Sequence, residues 1–237
     1  MTMNEAVRAD RNLWVRWVGA NSAGELLGLG VTALVAAGVS RAGDTGRGLL
    51  VMAAAAALVA AGAVEGGVVG YAQWRVLRRP LPAMPARSWI AATVLGAVVA
   101  WSVGLLPSTL MNASGQAGDG PPFGLTLQLL LAAAMGLVLG PVLGIPQWRI
   151  LRRFMRHAGW WVAANAVAWA AGMPVIFLVA GAIPANASAA VIVAAVVAAC
   201  AGAGAVVGAV HGIWLVGLLR NAGQRLPAAQ VTVREGT

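Results

Sequence analysis

The chain has 237 residues, of which 60% are hydrophobic and only 10% charged. Soluble domains carry roughly 25% charged residues, so a water-facing globular domain is excluded and an integral membrane protein is expected. The net charge of +9 would suit nucleic acid, but in a membrane protein the position of the charges decides, and here it points to topology.

All 16 basic residues are arginine, which together with abundant Ala, Gly and Val suggests a bacterial genome of high GC content. The one cysteine, Cys200, allows neither an internal disulfide nor a Cys-based metal site. No signal peptide is legible, because acids accompany the N-terminal arginines and no small-residue cleavage site follows the first apolar run.

A helix needs ~20 mainly apolar residues to cross the hydrocarbon. Six segments qualify: 13–37, 49–74, 88–111, 125–148, 159–183 and 189–217. Their continuous apolarity favours helices over the alternating strands of a barrel. The expected fold is an all-α membrane protein of six transmembrane helices.

Arginine orients it. Arg8, Arg11 and Arg16 open the first span, and Arg75, Arg78, Arg79 and Arg87 lie between the second and third. Arg149, Arg152, Arg153 and Arg156 lie between the fourth and fifth, and Arg220, Arg225 and Arg234 follow the sixth. Only Arg41 and Arg47 fall in the opposite loops. Both termini are therefore expected in the cytoplasm, with the chain in a bacterial inner membrane and its arginines against anionic lipid headgroups. Residues 107–124 read as the longest outer loop, with Asp119 its one charge. Asn112-Ala113-Ser114 and Asn186-Ala187-Ser188 match a glycosylation sequon, which carries little weight in a bacterial chain.

An internal repeat organises the chain. Trp17-Val18-Gly19-Ala20-Asn21 recurs as Trp89-Ile90-Ala91-Ala92-Thr93 and as Trp161-Val162-Ala163-Ala164-Asn165. Gln73-Trp74-Arg75-Val76-Leu77-Arg78-Arg79 recurs as Gln147-Trp148-Arg149-Ile150-Leu151-Arg152-Arg153. Glycine ladders precede each: Gly62, Gly66, Gly70 and Gly136, Gly140, Gly144, with Gly204, Gly208, Gly212 in the third copy. There Leu215 and Val216 are read in place of Gln-Trp. The reading is one membrane domain of three parallel two-helix repeats, 13–79, 88–153 and 159–220, followed by a tail over 221–237.

These motifs resemble those of uncharacterised multi-pass membrane proteins of bacteria, which carry repeated Gln-Trp-x-(aliphatic)-Leu-Arg and Gly-Trp-Trp-Val-x-Ala-Asn at helix ends. The likeness covers most of the chain. It implies a helical membrane fold and no particular activity.

Glycines every four residues share a helix face and predict close helix packing. Trp17, Trp74, Trp89, Trp148 and Trp161, with Arg75 and Arg149, read as anchors at the lipid interface, where tryptophan and arginine favour the headgroups. Gln73 and Gln147 are placed to bridge neighbouring hairpins. Pro141, Pro146 and Pro174 lie within spans, where each removes a backbone donor.

Two carboxyl groups, Glu25 and Glu65, fall inside spans, where a charged group costs roughly 2.5–3.5 kcal/mol or more. Neither recurs in the other copies. Asn21 lies one turn from Glu25, and Glu65 lies on the next helix, so Asn21, Glu25, Glu65, Gln73 and His211 form a candidate polar cluster. Its plainest role is interhelical hydrogen bonding; its sharper one is a proton, cation or substrate site.

No cofactor is implied: His157 lies too near the headgroups to hold a haem with His211, and no metal-ligand spacing is present. Enzyme signatures are missing as well. Two functions stay open. One is a non-enzymatic structural or accessory subunit with protein partners in a membrane complex. The other is a transporter or small-ligand binder using the intramembrane Glu cluster.

Overall fold

The computed structural model describes residues 2–41, 48–113, 124–184 and 186–223. Asp119, Arg47, Arg225, Arg234 and most of the 221–237 tail lie outside the described residues. Six helices account for the rest: α1 (Met3–Arg41), α2 (Gly48–Leu77), α3 (Ala86–Ala113), α4 (Leu125–Leu151), α5 (Trp160–Gly181) and α6 (Ala189–Gly223). All six are long and apolar enough to cross a membrane.

Two boundaries differ from expectation. α1 starts about ten residues before the apolar run, because Thr2 and Glu5 form a capping box. Glu5 N–H donates to Thr2 Oγ1 at 3.3 Å and Thr2 N–H to Glu5 Oε2 at 2.6 Å. The 107–124 segment is also not all loop: α3 continues through Pro107 to Ala113. Its Gly, Pro and Asn content suggested a loop, yet the helix runs on to Ala113. Pro141 and Pro146 sit within α4, and Pro174 within α5.

Each helix packs against its neighbours in sequence, and α1 packs against α6. Among the described residues no other pair of helices brings its backbones together, so the six form a closed ring. The glycine ladders weld alternate seams of this ring. A Cβ added at Gly66 would stand 2.9 Å from Val94 Cα, and one at Gly204 would stand 2.8 Å from Ser22 Cα. At Gly140 it would meet Ala166 Cα at 2.7 Å. Such backbone-to-backbone approach is available only to glycine, and in lipid it supplies the packing that water expulsion supplies elsewhere. The seams so joined are α2–α3, α4–α5 and α6–α1.

The same contacts fix the register of the third ladder. Cβ atoms added at Gly70, Gly144 and Gly208 would abut Thr93, Asn165 and Asn21 at 3.0, 3.0 and 2.9 Å. Gly208 is therefore the counterpart of Gly70 and Gly144, one turn earlier than sequence alignment placed it. His211 then stands where Gln73 and Gln147 stand, each three residues after its glycine. Leu215 pairs instead with Leu77 and Leu151, all three 0% exposed. By the same register Ala203 takes the place of Glu65. Gly212 still packs between helices, facing Trp14 and Trp17.

Candidate functional site

The ring is filled at one end and hollow at the other. At the end bearing the arginine-rich connections, the axis is plugged in layers. Leu77, Leu151 and Leu215 form one layer. Trp17, Trp89 and Trp161 form the next. Their rings are 5.8 Å apart for Trp17–Trp161 and 6.3 Å for Trp89–Trp161. All three indoles are 0% exposed, so they are not lipid anchors. The headgroup preference of tryptophan had suggested that role; facing the ring axis, they cannot touch lipid. Trp74 and Trp148 are half-buried beside exposed Arg75 and Arg149. Arg78 and Arg152 stack on Trp74 and Trp148 at 5.5 and 5.2 Å.

A polar layer lies against the tryptophans. Gln73 Nε2 donates to Asn21 Oδ1 at 2.8 Å, and Gln147 Nε2 donates to Gln73 Oε1 at 3.2 Å and Thr93 Oγ1 at 3.0 Å. Trp161 Nε1 donates to Gln147 Oε1 at 2.9 Å. Asn21, Thr93 and Asn165 each donate one turn back, to the carbonyls of Trp17, Trp89 and Trp161. The layer thus joins α1, α2, α3, α4 and α5 by side chains that reach across the axis.

His211 is stacked on Trp161 at 5.0 Å, with no hydrogen bond to either ring nitrogen among the described residues. Thr93 and Gln147 belong to this network but not to the expected polar cluster. Their signals were the repeated Gln-Trp motif for Gln147 and the repeat that opens on Trp89 for Thr93.

Replacing Gln147 by Leu removes three hydrogen bonds and strands the Trp161 N–H. The expected loss is about 1–2 kcal/mol, between the values for membrane and for fully buried soluble bonds. Reversible unfolding in mixed micelles measures it, and an unchanged midpoint would mean that the layer does not stabilise the ring.

Beyond this layer the axis opens into a cavity of about 490 Å³, lined by residues from all six helices. On the odd helices its lining follows the plug in sequence, and on the even helices it precedes the plug, so it occupies the other half of the ring. Leu29, Trp101 and Met173 line it from the odd helices, with Trp169 beside them. Glu65 is its one charged lining residue among those described.

Glu65 reaches the cavity over Gly28, whose missing side chain makes the room: a Cβ there would lie 2.8 Å from Glu65 Cα. Glu65 Oε2 accepts from Trp101 Nε1 at 3.1 Å and Thr32 Oγ1 at 3.5 Å. Glu25 is 2% exposed and its Oε2 has no hydrogen-bond partner among the described residues. The two carboxyl groups are within electrostatic reach of each other and of the Cys200 thiol.

The five residues expected to cluster thus divide. Asn21, Gln73 and His211 belong to the layers of the plug. Glu65 lies in the cavity wall, and Glu25 lies between, against Gly204 of α6. Among the described residues no group of three His, Cys, Asp or Glu side chains could hold a metal ion.

No protein family, curated protein or solved structure matches the chain. Function therefore rests on the ring and its cavity.

Proposed function

We propose that this chain is a membrane-embedded binding protein for a small lipophilic molecule, held in the six-helix cavity. The cavity carries this reading. Its volume of about 490 Å³ falls in the range of small-molecule sites, roughly 300–1,000 Å³. An apolar wall with one carboxyl group is the usual plan of such a site: area for affinity, one polar group for orientation.

The setting we propose is a bacterial inner membrane, with both termini cytoplasmic. The arginines support it. Those at Arg75, Arg78, Arg79, Arg149, Arg152 and Arg153 lie at the plugged end, where they meet anionic headgroups. We read the ring as three parallel hairpin repeats about an axis along the membrane normal, supported by the matching contacts of Gly70, Gly144 and Gly208. On this arrangement the cavity lies in the outer half of the membrane and the plug in the inner half.

Filling the cavity tests the function. Met173→Trp and Ile176→Trp place bulk in the lumen, since both residues line it. The expected result is that wild-type protein, purified gently and opened in organic solvent, yields a small molecule at about one per chain. Both variants, still monodisperse, yield none. Equal recovery from all three would sink the proposal. A stoichiometric protein partner, with no small molecule, would support an accessory subunit of a membrane complex instead.

A further inference from the structure

Among the described residues the Glu25–Glu65 pair has no counter-ion. Glu65, on α2, packs on Gly28 of α1, one turn past Glu25, and shares the cavity wall with Cys200 of α6. From α3 it receives the Trp101 N–H, and from α1 the Thr32 hydroxyl. The cavity residues of α4 and α5 bring Leu139, Trp169 and Met173, none of which titrates. His211 of α6 is turned to the tryptophan plug. Among the described residues the one ion pair is Arg220–Asp10, at the plugged end.

A carboxylate in a medium of low dielectric is costly without a balancing charge, and two within reach of each other are costlier still. Charge balance at the pair is met by a proton or by a cation from outside the protein. The lumen around Glu65 is shaped for a particular kind of cation. Its wall is apolar, so a small hydrated ion would lose its water and gain few oxygen ligands. Trp101 and Trp169 instead offer indole rings, which attract an organic cation whose charge is spread over carbon. Glu65 supplies the opposite charge beside them.

We propose that the cavity takes a lipophilic organic monocation seated against the Glu65 carboxylate, and that its binding expels the proton otherwise held by the Glu25–Glu65 pair. This rests on the cavity being a binding site, and it adds the ligand's class and an exchange. The balance is one for one: the cation enters, one carboxyl O–H bond breaks, and one proton leaves to solvent. The pair together with its bound cation carries the same net charge as the pair with that proton, so the exchange adds no net charge to the membrane. Low pH opposes binding, because protons compete for the same carboxylate.

The test uses the full chain in lipid nanodiscs and two radiolabelled probes of similar size. Tetraphenylphosphonium is a lipophilic cation, and triphenylphosphine oxide is neutral. Binding is counted net of empty nanodiscs. Wild type is expected to bind both. Its affinity for the cation should fall about tenfold or more from pH ~8 to pH ~5.5, because protons compete for the carboxylate, while its affinity for the neutral probe stays constant. In weakly buffered solution about one proton should appear per phosphonium bound. Glu65→Gln should lose at least about tenfold in affinity for the cation and keep the neutral probe, since the neutral amide retains shape but not charge.

Binding of the neutral probe alone, or phosphonium binding without proton release, overturns the cation inference and leaves the cavity reading standing. Binding of neither probe overturns both. Should Glu65→Gln fail to fold, the wild-type pH series and proton count decide alone.

Discussion

A Gly140→Leu chain is expected to fold poorly or not at all, with a loss of about 3 kcal/mol or more, at or beyond the upper range for overpacked cores. Gly140 lies against the backbone of Asn165 and Ala166, and an added Cβ would stand 2.7 Å from Ala166 Cα. A side chain in the way can rotate aside; backbone cannot. α4 and α5 must therefore part, and the parting spreads along the ladder to Gly136 and Gly144, which face the same helix.

In water some of this cost would be recovered by burying the new side chain. In lipid that recovery is absent, because an exposed leucine is already in an apolar solvent. Gly19→Leu is the control, since nothing stands within 4 Å of a Cβ there. Thermal unfolding followed by size-exclusion in detergent separates the two. A Gly140→Leu protein that melts within about 2 °C of wild type would mean that the seam is not where the ring gets its strength.

Trp161→Ala should cost about 3–5 kcal/mol, nearer the lower figure because the unfolded chain in a membrane already shelters the indole from water. Trp161 is the hub of the plug. It contacts Trp17, Trp89 and His211, and its N–H bonds to Gln147. Truncation leaves a void bounded by rings that are themselves fixed, so little can collapse into it. The neighbouring Trp160 is 57% exposed, and Trp160→Ala should change stability by less than about 1 kcal/mol. Unfolding of the two variants under one condition gives the ranking. Equal losses would show that the plug is no better packed than the lipid-facing surface.

Much of the fold was legible because lipid makes its demands on every turn of a helix. Six runs of apolar residues had to be six helices, and glycines at every fourth position had to be contact faces. What was not legible was the inside of the ring. Trp17 and Trp74 are both tryptophans near arginines, and hydropathy alone cannot tell an indole turned to the axis from one turned to lipid. Glycine contacts can, because Gly208 against Asn21 sets the rotation of α6 against α1.

The same register explains why His211 was grouped with the Glu residues and not with Gln73 and Gln147 as a member of the repeat. It occupies a repeated position, but with a changed residue type, and alignment by letters slid one turn to match Leu and Arg instead. Glu65 was singled out in the sequence as an expensive residue. That it faces a cavity follows from Gly28 beneath it and from the small residues Ala97 and Gly104 on the neighbouring α3, whose joint effect emerges only when the ring closes.

The seam between α1 and α6 has a consequence for how the protein is made. α1 leaves the ribosome well before α6, yet it carries groups whose partners lie on that last helix. Ser22 Oγ donates to the carbonyl of Ala201 at 2.8 Å, across 179 residues, and Trp14 Nε1 donates to that of Ala209 at 3.0 Å, across 195. Glu25 lies against Gly204 in the same seam. Throughout synthesis of the intervening helices these groups have no protein partner from α6. α1 must then wait beside the insertion machinery or in a thinned, hydrated patch of bilayer, rather than diffuse freely in hydrocarbon. Assembly becomes a clasp fastened by its final segment, and a ribosome that stops before α6 leaves behind an open arc with a raw polar edge.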